Sequence, residues 1–548
     1  MTQPTLVYAT KEQIDGLLAL AKVSFPQDEY ALLEKVLETF VYVMLALQNA
    51  KTSLKRFRHM LFGKKTESKK NLFGHGAASG AASALEGAAS AGVPALGEPA
   101  DGGDKKKKGH GRNGASKYSA ANIVRCEHDG LKPGDACPVC HEGKVYGCRP
   151  KIIIKIVGQP SLGATAYVLD RLRCHLCDTF FIASMPKGIN ERKYEACSGS
   201  ILACLRYGSG MPFHRLDKLQ ASMGIPMPDA TQWDLVKKTA DAGPRHVFNE
   251  LIKQAGQARL LHNDDTPARI LSLMGERRAK AEAAGEEMPT TKAINTTGIV
   301  ALLPGEQKTR VILFFTGAAH AGQNLQKILA HRASELGLAT QMCDALAANI
   351  IGDIKTNLSL CNSHARRKIV EVAENFPEPC RYVIEVFASV YQHDGHCKDE
   401  KMTDQQRLVY HQDNSGPLMR GLKTWMDQQL AEKLVEPNSG LGHALRYMLK
   451  NWAGLTLFLR LKGVPLDNNI AERILKWAIT HRKNSYFYRS PKGAEVGDIF
   501  MSLIYTCQEC NVSPFEYLQI LQKNHEAVRA NAQLWLPWNY HETLAAKA

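Results

Sequence analysis

Apolar residues recur every seven positions along the first part of the chain. Nine apolar residues follow a 3.5-residue period over four heptads, which is typical of a coiled-coil seam. The leading members of these heptads are Leu33, Phe40, Leu47, Leu54 and Leu61. We therefore predict one long helix over residues 29–61. It either joins copies of the chain in a coiled coil or packs as an amphipathic helix on its own domain.

The pattern of apolar positions changes twice before residue 255. Residues 120–190 contain short β-like runs, such as 166–172. Residues 195–240 favour helices, in which 216–223 and 229–240 flank a glycine with the spacing of a helix-turn-helix. Helical hairpins share this spacing, so DNA contact by this segment is one interpretation and simple helix packing is the other.

Strand patterns and a helical pattern alternate between residues 255 and 364. The predicted strands are 258–264, 298–303, 309–316, 339–345 and 357–363. A helix at 320–333 separates the third strand from the fourth. This order indicates a mixed α/β sheet. Helical patterns over 365–460 interrupt the sheet region, and a final helical block runs over 467–530.

Residues 74–104 have the composition of a flexible linker. Gly, Ala and Ser occupy 21 of these 31 positions, which leaves too little apolar surface to fold alone. A basic, glycine-rich segment follows, with Lys105, Lys106, Lys107, Lys108 and Arg112. Its backbone is able to approach a phosphate chain closely, although a segment of this kind alone is weak support for DNA binding.

The chain is basic overall, with 69 Lys and Arg against 54 Asp and Glu and a formal net charge of +15. Four bands carry +20 together and leave −5 for the rest: residues 51–70, 101–118, 140–193 and 466–492. An excess of this kind favours a polyanionic partner, nucleic acid before membrane. A solvated surface is the alternative for any single band.

Neither a membrane span nor a secretion signal is predicted. The longest clear apolar run has eight residues, against about 18 needed to span a bilayer. The first 16 residues lack the basic and apolar regions of a signal peptide. We therefore expect a soluble cytoplasmic protein whose cysteines are reduced thiols or metal ligands.

Two pairs of cysteines have the spacing of a structural zinc site. Cys137 and Cys140 form one C-x2-C pair, and Cys174 and Cys177 form another after 33 intervening residues. Four thiolates from two such pairs match the tetrahedral coordination of Zn²⁺, and the β-rich spacer suits a zinc ribbon. Four Cys ligands leave no open coordination position, so the predicted role of this ion is structural.

Carboxylates follow two of the predicted strands. Asp264 and Asp265 end the first strand, and Asp344 lies near the end of the fourth. Glu472 lies inside a helix for which Asp467 is the expected N-cap. Such acids are the hard oxygen ligands that a pair of Mg²⁺ ions needs for phosphoryl displacement. Each acid alone is as readily a cap or a solvated charge, but their combination with basic bands indicates a nuclease-like site.

Several motifs together resemble the large transposase of the bacterial insertion sequence 66 (IS66) family, of the TnpC type and the DDE class. The resemblance covers nearly the full chain. The matching segments are LFGKKTE at 61–67, GHGRNG at 109–114, the two C-x2-C pairs, MPFHR at 211–215, HNDDTP at 262–267, HARRK at 364–368, LDNNIAER at 466–473 and HRKN at 481–484.

The resemblance implies a multidomain α/β protein with a ribonuclease H-like core. The implied domains are a helical leader with a coiled-coil seam (1–70), a flexible basic linker (71–118), a zinc-binding module (119–192), a helical DNA-binding segment (193–254), the catalytic core (255–364 and 466–500), a helical insertion (365–465) and a C-terminal helical segment (501–548).

The family's catalytic acids fall on Asp264, Asp344 and Glu472, which would hold two Mg²⁺ ions, with Mn²⁺ as the alternative. Asp265 stands where the family usually has Glu, which leaves open whether Asp264 or Asp265 binds metal. Strand alternation puts the two on opposite faces, so one of them should point into the site. Asp353 is a second candidate for the middle acid, and its place at the end of a helical stretch makes it the poorer one.

The implied partner is double-stranded DNA, both the terminal repeats of the element and the target. Besides the basic segment at 105–112, the expected DNA-binding residues are His364, Arg366, Arg367, Arg473, Arg482 and Lys483. Tyr486, Phe487 and Tyr488 are either stacking surfaces for bases or core residues. A homo-oligomer and small accessory proteins are also expected. The alternatives are a non-catalytic DNA-binding protein derived from a transposase, and a ribonuclease H-like nuclease with other substrates.

Overall fold

The computed structural model of the 548-residue protein forms two compact units, Met1–Gly76 with Leu162–Ala548, and Ala77–Ser161. The residues that the structure describes are 11–37, 132–136, 138, 142, 144–146, 161–173, 180–187, 192–276, 294–305 and 309–546.

Several predictions fall outside the described residues. They are the four zinc cysteines (Cys137, Cys140, Cys174 and Cys177), the basic segment at 105–112 and the coiled-coil seam beyond residue 37. The beginning of the predicted long helix is helical over 27–37. Within the smaller unit, Ala136 and Lys144 form an antiparallel bridge. The zinc site and the coiled coil stay predictions.

The described strands form a two-stranded and a five-stranded sheet. Their bounds are β1 Arg171–Arg173, β2 Phe180–Ile182, β3 Leu260–Ala268, β4 Ile294–Leu302, β5 Arg310–Gly317, β6 Thr340–Cys343 and β7 Asn357–Leu360. β1 pairs antiparallel with β2. The larger sheet has the order β5-β4-β3-β6-β7, with antiparallel pairs β5-β4 and β4-β3 and parallel pairs β3-β6 and β6-β7. The predicted mixed α/β sheet is confirmed.

Helices precede, separate and follow the strands of this sheet along the chain. Their bounds are α1 Lys11–Ser24, α2 27–37, α3 Ala196–Ala203, α4 Phe213–Ser222, α5 Asp229–Asp241, α6 Pro244–Gly256, α7 Ala321–Leu329, α8 Asn362–Val370, α9 Pro377–Asp399, α10 Asp404–Ala431, α11 Gly440–Lys450, α12 Trp452–Leu455, α13 Asn469–Ser485, α14 Pro491–Glu509, α15 Pro514–Lys523, α16 His525–Ala530 and α17 Tyr540–Ala545. Among these helices of the described residues, none is both long and apolar enough to cross a membrane.

The strand β5 lies at the edge of the sheet, and α14 covers that edge. The backbone N–H groups of Ile312, Phe314 and Thr316 donate hydrogen bonds to Thr506, Ser502 and Asp498 at 3.0, 2.9 and 2.6 Å. Two residues of a strand and four residues of a helix both rise about 6–7 Å, so the two sets stay in step. The exposed edge that would template pairing with another chain is thereby closed.

The region between β7 and α13 forms a second core beside the sheet. α9 and α10 pack against each other along their length. Thr403 caps α10 by accepting a hydrogen bond from the backbone of Gln406 at 3.3 Å. Buried apolar residues of this core include Cys380, Val383, Phe387, Met419, Leu422 and Leu445. The predicted helical interruption of the sheet region is therefore present as a packed helical insertion.

The start of α13 differs from the sequence prediction. Asp467 was the expected N-cap, but the helix begins at Asn469 with Asn468 as its N-cap residue. The carboxylate of Asp467 instead accepts a hydrogen bond from the backbone N–H of Asn469 at 3.1 Å. The prediction of Asp467 as the cap is wrong by one residue, because the backbone carbonyl of Asn468 accepts the first hydrogen bonds of the helix, from the N–H groups of Ala471 and Glu472. The side-chain amide of Asn468 bonds to β3.

Candidate active site

The two adjacent aspartates of β3 point to opposite faces of the sheet. Asp265 accepts hydrogen bonds from the Thr297 hydroxyl at 2.6 Å and from the backbone N–H of Ala321 at 2.9 Å. Ala321 opens α7, so Asp265 lies at the N-terminus of that helix, where its negative charge is favoured. Asp264 faces the other way, toward Asp344 and α13. The alternation of side chains along a strand thus separates the two carboxylates.

β3 continues four residues beyond Asp264, to Ala268, so the prediction that the two aspartates end this strand is wrong. Asp264 lies instead where the neighbouring strand β6 stops. The parallel pairing of β3 with β6 ends at His262 opposite Met342, and β6 itself ends at Cys343. Continuing that register by two residues brings Asp344 level with Asp264. Beyond His262, β3 pairs with β4 alone among the described strands.

Asn349 joins these two acids. Its side-chain amide donates to Asp344 Oδ1 at 2.7 Å and lies 3.3 Å from Asp264 Oδ1. The backbone carbonyl of Asn349 accepts from the amides of Asn263 and Gln341 at 2.8 and 2.7 Å. Because these partners belong to β3 and β6, Asn349 is fixed against both strands. It holds the carboxylates of Asp264 and Asp344 close to each other.

Asn468 attaches the beginning of α13 to the same part of the sheet. Its amide nitrogen donates to the backbone carbonyl of Asn263 at 3.0 Å, and its amide oxygen lies 2.9 Å from His262 Nδ1. Burial lowers the pKa of His262 to about 4, so the imidazole is neutral near pH 7. Its Nδ1–H therefore donates to Asn468. Glu472, one turn further along α13, lies close enough for its charge to raise the pKa of Asp264.

The charges of the neighbouring carboxylates oppose the ionisation of Asp264. Burial, followed by the charges of Asp344, Glu472 and Asp265, raises the pKa of Asp264 to about 7, against a lowering by the backbone N–H of Asp265. With a pKa of about 7, the carboxyl group of Asp264 is about half ionised at neutral pH when no cation is bound. A bound cation would relieve the repulsion, so this cluster has the charge and the oxygen donors of a divalent metal site.

A cysteine and a histidine lie beside the third acid. His364 Nδ1 is 3.7 Å from Glu472 Oε1, and neither atom has a hydrogen-bond partner among the described residues. Cys361 completes a group whose three donor atoms lie within 4.8 Å of one another. His364, predicted to contact DNA phosphates, thus lies against Glu472. Sequence reasoning missed Asn349 and Cys361, although the C-x2-H spacing after a strand is a signal that could have found Cys361.

The remaining predicted DNA-binding residues divide into two groups. Arg366 and Arg367 lie on α8, where Arg367 is exposed and Arg366 is half-buried. Arg473 and Lys483 are exposed on α13. Arg482 lies near the end of α13 and donates to the backbone carbonyl of Pro267, two residues after Asp265 on β3.

The aromatic run after α13 is split between core and solvent. Tyr488 is partly buried and stacks on His481, with ring centroids 5.5 Å apart. Tyr486 and Phe487 are 67% and 47% exposed. The core interpretation therefore holds for Tyr488, whereas stacking on bases stays a prediction for Tyr486 and Phe487.

Asp353, the second candidate for the middle acid, lies outside the cluster. Its carboxylate accepts from the amide of Gln326 on α7 at 2.8 Å. Asp344 is instead joined to Asp264 through Asn349. Geometry therefore favours Asp344 as the partner of Asp264.

Comparison with known proteins points to one group. The family model described as "Transposase IS66 family" matches residues 196–496, more than half of the chain. Two curated relatives come from Sinorhizobium fredii (strain NBRC 101917 / NGR234). "Uncharacterized protein y4hP" is 24% identical over 398 residues, 69% of this chain and 68% of that protein. "Uncharacterized protein y4jD" is 31% identical over 187 residues, 33% of this chain and 36% of that protein. The match thus spans about a third of y4jD.

Proposed function

The chain belongs to the IS66 transposase family, and from that premise we propose that it cuts the ends of an insertion sequence and joins them to target DNA. The observation that carries the proposal is the proximity of three carboxylates: Asn349 joins Asp264 to Asp344, and the charge of Glu472 acts on Asp264. The proposal includes a ribonuclease H-like core, supported by a mixed sheet in which Asp264 lies on β3 and Asp344 directly follows the neighbouring β6.

The residues present suit Mg²⁺. Asp264 and Asp344 provide hard carboxylate oxygens, and Glu472 Oε1 is buried with no hydrogen-bond partner within the described part of the chain. Carboxylate oxygens are the ligands that Mg²⁺ prefers, and Mn²⁺ accepts the same set. When bound, a pair of such ions activates the attacking oxygen and stabilises the leaving oxygen in phosphoryl displacement.

The chain's own residues hold these carboxylates in place. Asn349 fixes Asp264 and Asp344 relative to each other through bonds of 3.3 and 2.7 Å. Asn468 and the neutral His262 fix the beginning of α13, and with it Glu472. Asp264 lies within β3, Asp344 directly after β6 and Glu472 in α13, and these bonds support an arrangement of the three acids that exists before any substrate binds.

One face of α13 offers a surface for DNA beside the acids. Arg473, Lys476, Trp477, Thr480 and Lys483 recur at helical spacing and are all exposed. Three of these five side chains are cationic, which suits contacts to phosphates. Trp477 is 45% exposed and stacks on Tyr505, so it adds a firmly held aromatic surface to this face.

A strained turn ends the same helix. Tyr486 has φ 61° and ψ −43°, and the N–H of Phe487 donates to the carbonyl of Ser485 at 2.7 Å. This is a γ-turn of the rare, strained kind. The backbone N–H of Tyr488 donates to Arg269 at 2.8 Å, which holds the turn against the chain that leaves β3. Backbone strain of this kind clusters at functional sites. The exposed rings of Tyr486 and Phe487 lie near cationic side chains of α13 and are able to stack on bases.

The test uses purified full-length protein and DNA that carries the element's terminal inverted repeats. We expect Asp264→Asn, Asp344→Asn and Glu472→Gln each to reduce Mg²⁺-dependent strand cleavage by about a hundredfold or more. The physical reason is the loss of a charged oxygen ligand with little change in shape. Cleavage is measured on denaturing gels, and joining is measured by the appearance of longer products with target DNA.

Asp353→Asn is the matched control, because it removes a carboxylate from the same region without touching the cluster. It should cleave at the wild-type rate. Unchanged cleavage by Asp264→Asn would show that the assignment of the site is wrong. Tight and specific DNA binding without metal-dependent cleavage by the wild-type protein would favour the non-catalytic DNA-binding alternative.

A further inference from the structure

Beside the proposed oxygen-rich cluster lies a group of donors of a different chemistry. The Sγ of Cys361, the imidazole of His364 and the carboxylate of Glu472 offer three ligand atoms within 4.8 Å of one another. His364 Nδ1 and Glu472 Oε1 are 3.7 Å apart, and both atoms lack a hydrogen-bond partner among the described residues. Ligands of one tetrahedral Zn²⁺ are about 3.3–3.8 Å apart, given bonds of about 2.0–2.3 Å. The donors thus need only small side-chain rotations to share an ion.

Hydrogen bonds between distant parts of the chain hold the three residues close together. Cys361 directly follows β7 and is the N-cap residue of α8, and His364 lies in the first turn of that helix. The buried amide of Asn362 donates to the carbonyl of Leu466 at 3.1 Å, and the backbone N–H of Asn468 donates to Cys361 Sγ at 3.2 Å. These bonds tie the segment with Cys361 and His364 to the segment that leads into Glu472, so the donor set is built into the fold.

We propose that Cys361, His364 and Glu472 form a binding site for a thiophilic divalent cation of the zinc class. Sulfur and imidazole ligands select Zn²⁺, Co²⁺ or Cd²⁺ over Mg²⁺, which prefers oxygen. Burial raises the pKa of Cys361 to about 11, so a cation must displace a proton to bind the thiolate. Ions of the zinc class do this to a coordinating thiol, whereas Mg²⁺ does not bind thiolates appreciably.

The site has a consequence for the reaction, which rests on the proposed function. Glu472 belongs both to this donor set and to the cluster with Asp264. A thiophilic ion held by Cys361 and His364 therefore draws the Glu472 carboxylate away from a Mg²⁺ ion bound by Asp264 and Asp344. Zinc-class cations are expected to inhibit Mg²⁺-dependent cleavage by competition for this one side chain.

Co²⁺ titration of the full-length protein tests the site without reference to cleavage. Bound Co²⁺ is counted from its visible absorption and from metal analysis after gel filtration. We expect Cys361→Ser and His364→Gln each to bind one Co²⁺ fewer than the wild-type protein. Cys380→Ser is the matched control, since Cys380 is also buried but lies in the insertion core, and it should bind as many ions as the wild type. The four cysteines predicted to bind zinc are unchanged in every variant and cancel in the comparison.

Equal stoichiometry in the wild type and in both folded variants, checked by circular dichroism, would overturn the proposal. Two variants are used so that misfolding of one does not decide the result. In the cleavage assay, Cys361→Ser should raise the Zn²⁺ concentration for half-inhibition by about tenfold or more.

The two proposals fail in different ways. If no form of the protein cleaves DNA but Cys361→Ser still loses one Co²⁺, the proposed function is wrong and the site stands. If Mg²⁺-dependent cleavage occurs but the Co²⁺ count never changes, the site is wrong and the proposed function stands. Asp264→Asn separates them further: with Mg²⁺ in excess, so that Co²⁺ is not counted at the oxygen ligands, it should lose cleavage and keep the Co²⁺ count of the wild type.

Discussion

Gly298 lies so close to Leu475 that a Cβ at position 298 would come within 2.9 Å of Leu475 Cδ2. Gly298 pairs with Asp264 across β4 and β3, and Leu475 lies one turn beyond Glu472 on α13. The absence of a side chain at Gly298 therefore sets how near the helix with the third acid approaches the strand with the first.

We predict that Gly298→Ala slows cleavage strongly and lowers the free energy of unfolding only moderately. The added methyl should push α13 away from β4, with a loss of about 1–3 kcal/mol in the free energy of unfolding. A displacement of Glu472 by about 1 Å is expected to lower the cleavage rate by about a hundredfold. Leu475→Ala in the same protein removes the clash and should restore part of the rate. A double variant as slow as Gly298→Ala alone would contradict this explanation.

The second prediction concerns Asp265, the neighbour of the proposed metal ligand. Asp265→Ala leaves the Thr297 hydroxyl and the N–H of Ala321 without their acceptor. We expect a loss of about 1–3 kcal/mol in the free energy of unfolding, measured by urea titration. Metal-dependent cleavage per folded molecule should persist. If Asp265→Ala abolished cleavage in a folded protein, the choice of Asp264 over Asp265 would be reversed.

A pH dependence of stability is expected from Asp498. Burial is the main cause that raises its pKa to about 7, against hydrogen bonds from Thr316 that lower it. The folded protein holds this proton up to about pH 7, whereas an unfolded aspartate releases it near pH 4. Stability is therefore lost as the pH rises from about 4 to 7.

Asp498→Asn removes this titration and keeps a carbonyl oxygen for the N–H of Thr316. We expect the variant to be more stable than the wild type at pH 8, by on the order of a few kcal/mol, and to lose the advantage toward pH 4. Urea unfolding at both pH values measures the difference. A variant that is equally destabilised at both pH values would show that the carboxylate is ionised in the folded state.

The fourth prediction concerns the buried ion cluster of the helical insertion. Asp394 is 4% exposed and pairs with Arg407 at 2.6 Å and Lys398 at 2.7 Å. Burial alone would raise the pKa of Asp394, but the bond from His411 and the two cations lower it below its ordinary value. Arg407 also donates to the carbonyl of Val464 at 2.7 Å, which ties the insertion to the chain before α13.

Asp394→Asn should lower the free energy of unfolding by about 3 kcal/mol, because it leaves Arg407 buried without its counter-charge. The pair Lys423 and Asp427 is about half exposed, so Asp427→Asn serves as the control and should change stability by under about 1 kcal/mol. Hydrogen exchange should show faster opening of α9 and α10 in Asp394→Asn. Equal losses in the two variants would mean that the cluster contributes no more than a surface pair.

The fifth prediction concerns the strained turn at Tyr486. Tyr486→Gly removes a side chain from a backbone with φ 61° and should stabilise the protein by about 1 kcal/mol. The same change should weaken binding of single-stranded DNA by about 1–3 kcal/mol, since one stacking ring is lost. Phe487→Ala separates the effects, because it should weaken binding without the gain in stability. Unchanged DNA affinity in both variants would remove the turn from the proposed DNA surface.

The sequence by itself determined the strands of the sheet and the helical insertion. Apolar runs at 258–264 and 339–345 predicted β3 and β6, because buried strands need apolar residues whatever surrounds them. The motifs around Asp264, Asp344 and Glu472 identified the same three acids that the fold brings together. Strand alternation also required that Asp264 and Asp265 face opposite sides.

Only the tertiary structure decided which of the two aspartates faces the other acids and what supports them. Asn349 and Asn468 act through partners 85 and 205 residues away in the chain, and no local pattern marks such pairs. The same holds for His364, whose place beside Glu472 depends on the packing of α8 against the start of α13. Periodicity in a sequence reports whether a residue is buried, but the identity of its neighbours depends on how distant elements pack.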